Sequence, residues 1–230
     1  VVVGEDPVVR QFIERKKKVA QDIGIEVRIY PFPNTISTSE LRARLAEIVH
    51  GEKNTGVIVQ LPLPEKMNSQ YILNGILPSK DVDMLSARSL GLFVSGKGRI
   101  MPPVAGAIKT LLEEYQIDYR AKKIAVVGVG QLVGKPVVLW LLNEKATFSV
   151  IRSSTSNPEE ILRRSDIVIT GVGKPKFLTG DIGAELKKYR LDYILSVGPL
   201  PESVRGRLPL AAPIEAMRGC SFGCSFCNSP

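Results

Sequence analysis

Two α/β domains, each built on parallel strands, are expected from three features of the chain. Apolar strand-like runs and amphipathic helix-like stretches alternate from the first residue to about Gly198, the pattern of strand–helix–strand crossovers. A string of glycines, Gly128, Gly130 and Gly134, sits between one such run and the helical stretch after it. Midway, Pro102 and Pro103 follow a glycine-containing segment and interrupt the alternation, as a domain boundary would.

The elements follow in order. "VVVG" (1–4) is expected to be a buried strand, and residues 7–24 a helix with Phe12, Ile13, Val19 and Ile23 near helical spacing and Gly24 as its C-cap. "IEVRIYPF" (25–32) is expected to be a strand. "STSELRARLAEIVHG" places Ser37 three residues before Glu40, a capping-box spacing, and Leu41, Leu45, Ile48 and Val49 on one face before Gly51. "TGVIVQLPLP" (55–64) is an apolar strand run stopped by prolines, and residues 77–103 have the composition of a loop. A helix over 105–115 then leads into "KKIAVVGVGQLVGKPVVLWLLN", a buried strand, a glycine-rich turn and a helix. "ATFSVIRSS", "PEEILRRSD", "IVITGVG" and "YILSVG" continue the alternation. The second half is therefore expected to be a Rossmann-like, doubly wound parallel sheet.

Composition narrows the class. The chain has 230 residues, 44% of them hydrophobic, enough for a sizeable core. No run approaches the ~18–20 uninterrupted apolar residues of a membrane span, and no signal segment opens the chain, so a cytoplasmic location without membrane contact is expected. The net charge is +8, but Lys and Arg are interleaved with Asp and Glu and only "ERKKK" forms a run. That distribution argues against a nucleic-acid partner and suits a phosphorylated or polycarboxylate substrate. The chain begins "VVVGEDP", without methionine and already inside a strand pattern, so a truncated N-terminus is expected.

The glycines at G-x-G-x-x-x-G spacing carry the clearest chemistry. Without a Cβ, the backbone N–H groups at a helix N-terminus can touch a pyrophosphate; such turns also occur merely to pack a helix on a sheet. About 20 residues on, where an acidic residue would hold an NAD ribose, stand Arg152, Ser153, Ser154 and Thr155. A cation with hydroxyls suits a 2'-phosphate and points to NADP over NAD. A solvated strand-end arginine is the alternative.

With that turn, "VGEDPVVRQFIERK" (3–16), "GVIVQLPLP" (56–64), "PSKDVDM" (78–84), "VGKP" (133–136) and "GVGKPKFLTGD" (171–181) stand in an order that resembles the bifunctional methylenetetrahydrofolate dehydrogenase/methenyltetrahydrofolate cyclohydrolase family over residues 1–198. The resemblance implies a folate-binding catalytic domain (1–101) and an NAD(P)-binding domain (102–198) with a central cleft, followed by an irregular tail (199–230). It implies oxidation of 5,10-methylenetetrahydrofolate with NADP, hydrolysis of the methenyl product to 10-formyltetrahydrofolate, and a homodimer. Lys16 matches the catalytic lysine, Gln60 the glutamine that orients it, and Asp83 the aspartate that grips the pterin amide and amino group. Phe12 and Pro62 match substrate-contacting positions, and Gly173 joins Gly128, Gly130, Gly134, Arg152 and Ser153 as a cofactor position.

Read without the resemblance, Lys16 belongs to a charge run of the kind that usually faces water. A lysine that acts as a base needs its pKa lowered by burial or nearby cations, and Arg15, Lys17 and Lys18 could help if they lie close. Asp81 and Asp83 could equally be turn residues or a lone cation site. Several positions depart from the family pattern. Phe12 replaces a tyrosine and loses its hydroxyl, and Met84 replaces the glycine after "KDVD". "PPVA" (102–105) replaces "P-C-T-P", and Val129 and Gly130 replace an arginine and a serine.

After Gly198 the family's closing segment is not found, and all three cysteines fall in the tail as Cys220, Cys224 and Cys227 at C-x3-C-x2-C spacing. "PIEAMRGCSFGCSFCNSP" resembles the cluster motif of radical S-adenosylmethionine enzymes, in which three thiolates leave one iron of a [4Fe-4S] cluster open. An alternative role follows: the front module of such an iron–sulfur protein. Structural zinc would want a fourth ligand, and the only histidine is His50.

Overall fold

The computed structural model describes residues 1–172, Tyr193–Ser196 and Leu210–Pro213. The chain divides at Pro103 into two compact units.

In the first unit, β1 (Val2–Val3) pairs in parallel with β2 (Pro31–Phe32), joined by α1 (Pro7–Asp22). The helix ends as its sequence requires. Gly24 takes φ +72°, its N–H donates to the Gln21 carbonyl (3.1 Å), and Ile25 N–H reaches back to Ala20 (2.7 Å). That pair of bonds satisfies carbonyls that would otherwise be left open at the helix end. Next, α2 (Thr38–His50) starts where Ser37 Oγ accepts from Glu40 N–H at 3.1 Å and buries Leu41, Leu45, Ile48 and Val49. Ser37→Ala should lower stability by about 1 kcal/mol, measurable as a reduced urea midpoint at unchanged slope.

Three expectations for this unit need correction. Only Pro31–Phe32 of the predicted strand 25–32 joins a ladder. Ile25, Val27 and Ile29 alternate as a strand would, but they are exposed (56%, 40% and 38%), so no second layer among the described residues covers that face. Residues 55–64 run extended, with Val57, Val59, Leu61 and Leu63 buried, yet form no named strand. They bond β1's neighbour Val1 (Gln60 N–H to Val1 O, 2.9 Å) and make one parallel bridge, Val57 to Asp81. Pro62 and Pro64 supply no N–H, which stops the ladder there, and the Leu61–Pro62 bond is cis. The loop-like stretch 77–103 holds a helix, α4 (Ala87–Val94), capped by Ser86 Oγ accepting from Ser89 N–H. A shorter helix, α3 (Ser69–Leu73), precedes it. Serine- and glycine-rich composition conceals the start of α4, although serine is what a helix N-cap uses.

The second unit opens with α5 (Pro103–Glu114). Its sheet contains β3 (Lys123–Val127), β4 (Thr147–Ile151), β5 (Ile167–Thr170), β6 (Tyr193–Ser196) and β7 (Leu210–Pro213), in the order β4-β3-β5-β6-β7 and parallel at every pairing. Between strands lie α6 (Gly134–Asn143) and α7 (Pro158–Arg163). β5 is buried along its whole length and β3 from Ile124 on, as strands covered on both faces must be. The chain passes from β3 to β4 on one side and then to β5 on the other. That reversal makes the carboxyl ends of β3 and β5 the crevice where doubly wound sheets take ligands. The tail read as irregular contributes β7, parallel to β6. An open strand edge templates a short extended segment, and Pro213 at its end suits an edge position.

Candidate active site

Lys16 stands on the buried stripe of α1, in register with Val9, Phe12 and Ala20, each under a tenth exposed. Residues four apart share one helix face. The charge run therefore splits: Arg15 and Lys18 are exposed, and Lys17 pairs with Glu14 at 3.2 Å, while Lys16 alone is drawn inward. Its register with three apolar residues is the signal that composition hides. The cations expected to assist it leave on other faces, and Lys17 is already compensated by a carboxylate.

Lys16 Nζ donates to Gln60 Oε1 at 3.0 Å. Gln60 is 6% exposed, and its Nε2 donates to the Leu61 carbonyl at 2.9 Å. A carbonyl oxygen can only accept, so the amide NH₂ must face Leu61 and the amide oxygen must face the lysine. One Lys16 N–H is thereby directed at Gln60.

The two aspartates separate. Asp81, 1% exposed, accepts from Leu85 N–H (3.3 Å) and Ser86 N–H (2.9 Å) and closes the turn. Asp83 is half-buried two residues beyond the Val57–Asp81 bridge, beside the segment that carries Gln60. Among the described residues, no cluster of three His, Cys, Asp or Glu side chains could hold a metal. Met84 adopts φ +56°, the left-handed conformation for which the family's glycine is suited. Phe12 is buried one helical turn before Lys16, and Pro62 is exposed between buried Leu61 and Leu63. Sequence reasoning allowed Asp81 as a turn residue, which it is, and gave Lys80 no role. An open groove of about 600 Å³ lined by Arg28, Tyr30, Phe32, Arg44, Glu47 and Asn54 among others includes none of the predicted site residues.

In the second unit the glycines divide their labour. A Cβ on Gly134 would lie 1.8 Å from the Gly128 carbonyl oxygen, and one on Gly128 would lie 3.0 Å from Val172. These glycines let strand, turn and helix close on one another, and Gly128 also takes φ +83°. Gly130 is exposed with open space where its Cβ would be. The N-terminus of α6 has no side-chain cap, but Lys135 N–H donates to the Gly130 carbonyl (3.0 Å), Val137 N–H donates to the Val133 carbonyl (3.1 Å) and Pro136 has no N–H, so an anion here would be met by the backbone of the glycine turn and not by the helix's first turn. Gly128 N–H donates to Ile151 O at 2.8 Å, which ties the turn to the end of β4 beside exposed Arg152 and Ser153. An open glycine and a strand-end cation fit a dinucleotide with its phosphates over the turn. Gly173, Cys220, Cys224 and Cys227 lie outside the described residues.

Comparison with known proteins agrees with this geometry. Residues 1–83 match the family model "Tetrahydrofolate dehydrogenase/cyclohydrolase, catalytic domain", and residues 102–187 match its "NAD(P)-binding domain". A curated relative, the bifunctional protein FolD of Bacillus cytotoxicus, is 35% identical over 181 residues, which are 79% of this chain and 63% of that protein. The chain thus spans less than two thirds of the curated relatives it matches. The crystal structure of the FolD methylenetetrahydrofolate dehydrogenase/cyclohydrolase from Campylobacter jejuni superposes with a TM-score of 0.78 at 28% identity, covering 88% of this chain and 71% of that one. The Trypanosoma brucei enzyme, solved with NADP cofactor and inhibitor, gives 0.70 at 29%, covering 76% and 60%. With an α/β fold of parallel sheets, an oriented lysine–glutamine pair and a glycine-rich dinucleotide turn, the chain belongs to the tetrahydrofolate dehydrogenase/cyclohydrolase family.

Proposed function

We propose that this chain acts in one-carbon folate metabolism, oxidising 5,10-methylenetetrahydrofolate with NADP and hydrolysing the methenyl product to 10-formyltetrahydrofolate. The observation that carries the proposal is the 3.0 Å contact from Lys16 Nζ to Gln60 Oε1, a proton-handling group fixed in direction by a buried amide. In the hydrolytic step, water adds to the methenyl carbon. Lys16 takes one proton from that water and returns it to the ring nitrogen as its bond to the carbon breaks, and the remaining hydroxyl proton passes to solvent as the formyl C=O forms. Gln60 holds the amine in line for both transfers. Asp83 accepts from the pterin amide and amino N–H groups, and Phe12 offers an apolar face to the ring. NADP would supply the hydride acceptor when bound, and the backbone at Gly128–Gly134 would hold its phosphates.

NADP is preferred over NAD in this reading because Arg152 and Ser153 stand where a 2'-phosphate would lie. Arg152→Ala should raise the KM for NADP ~10- to 100-fold, the range of a lost charge-assisted hydrogen bond, and leave the KM for NAD unchanged. Equal effects on both cofactors would sink the assignment. The activity itself is tested by following NADP reduction with methylenetetrahydrofolate; a folded chain with neither turnover nor folate binding would refute it. A homodimer, as the family resemblance implies, is proposed as the working form, in the cytoplasm as the sequence composition leads one to expect and with no nucleic acid as partner, and sedimentation of the purified chain tests the dimer. The cluster-and-S-adenosylmethionine reading of Cys220, Cys224 and Cys227 rests on their spacing alone, has no support from the comparisons, and plays no part in this activity.

A further inference from the structure

We propose that Lys80 and Asp81 are positioning residues that clamp the 80–86 loop and present Asp83 to the folate. The role of Asp83 rests on the function proposed above; the clamp rests on contacts. Lys80 Nζ donates to the carbonyls of Val49 (2.6 Å) and Gly51 (3.1 Å) at the end of α2. Helix C-termini leave carbonyls without intrahelical partners and carry the negative end of the dipole, so an ammonium with several donors fastens the loop there. The backbone of the same residue accepts from Val57 N–H at 2.8 Å, joining the loop to the segment that leads into Gln60.

Asp81 closes the other end. Both of its oxygens accept backbone N–H groups, from Leu85 and from Ser86, and Ser86 is the N-cap of α4. Within that closed span Met84 takes φ +56° and donates to the Asp81 carbonyl at 3.2 Å. Between the two aspartates, Val82 presses on Gly56: a Cβ there would lie 2.8 Å from Val82 Cγ1. The chain is thus held at residues 80, 81 and 82, immediately before Asp83. The first aspartate of "KDVD" is consumed by the backbone, so the folate role given to Asp83 in the function proposed above does not pass to Asp81.

The test titrates tetrahydrofolate and NADP into the purified chain and its variants and follows amide exchange at Leu85 and Ser86. Lys80→Met should weaken tetrahydrofolate binding ~10-fold or more, leave NADP binding unchanged and speed exchange at both amides; Lys80→Arg should restore part of the affinity. Unchanged tetrahydrofolate affinity in folded Lys80→Met overturns the proposal. So does an equal loss in Ile72→Val, a packing change elsewhere in the first unit. Should Lys80→Met fail to fold, Gly56→Ala takes its place, since it removes no polar partner and displaces only Val82: weaker tetrahydrofolate binding supports the clamp, and unchanged binding overturns it. Asp83→Asn separates the two ideas. If it leaves tetrahydrofolate binding intact, Asp83's role fails, and faster exchange in Lys80→Met shows that the clamp stands as a structural device alone. If the unaltered chain binds no tetrahydrofolate, the positioning proposal falls with the function.

Discussion

Lys16→Met should lower hydrolysis of methenyltetrahydrofolate by ~10²- to 10⁴-fold, the usual contribution of a positioned acid–base group, while hydride transfer to NADP persists. Methionine keeps the length of the side chain and its place on the α1 stripe among Val9, Phe12 and Ala20. Packing should therefore survive. The amide oxygen of Gln60, at a residue 6% exposed, loses its donor at a cost of about 1–3 kcal/mol, so a modest drop in the unfolding midpoint should accompany the kinetic loss. The decisive measurement is the ratio of the two activities. Equal loss of dehydrogenase and cyclohydrolase would mean that the substitution damaged the site as a whole, and unchanged hydrolysis would remove Lys16 from the chemistry.

The second large effect is a contrast within the glycine turn. Gly134→Ala sets a methyl 1.8 Å from the Gly128 carbonyl oxygen, 2.7 Å from its carbon and 2.8 Å from Val129 Cα. All three are backbone atoms, so no side-chain rotation relieves the clash; the start of α6 must move away from β3. A loss of about 3 kcal/mol or more is expected, with cofactor binding lost as well. Gly130→Ala meets nothing within 4 Å and should leave the unfolding midpoint unchanged while weakening NADP, because the added methyl occupies the space through which phosphate approaches. Thermal unfolding and NADP titration of the two variants should rank in opposite ways for stability and agree for binding. Stability lost equally in both would show that the turn is a packing device only.

Legibility followed the range of the interactions. Ser37 and Glu40 announce the start of α2, Gly24 announces the end of α1, and the strand–glycine–helix unit is readable because each involves atoms a few residues apart. The same local reading went astray at residues 25–30 and 55–64. Alternating apolar residues say that a segment is extended, but a strand also needs a neighbour to pair with. It overlooked α4 because a capping serine and a loop serine are the same letter.

The sequence by itself determined the succession of elements, the parallel α/β class and the identity of the dinucleotide turn, since periodicity, caps and glycine conformations are properties of short stretches. Only the tertiary structure decided which residue meets Lys16, whose helical register places it on the apolar stripe of α1, and which of two aspartates is consumed by the backbone. The first choice depends on Gln60, 44 residues from Lys16. The second depends on how Lys80 reaches the end of α2, 29 to 31 residues back. Contacts across such distances arise only when packing brings the elements together, and no local pattern in the chain encodes them.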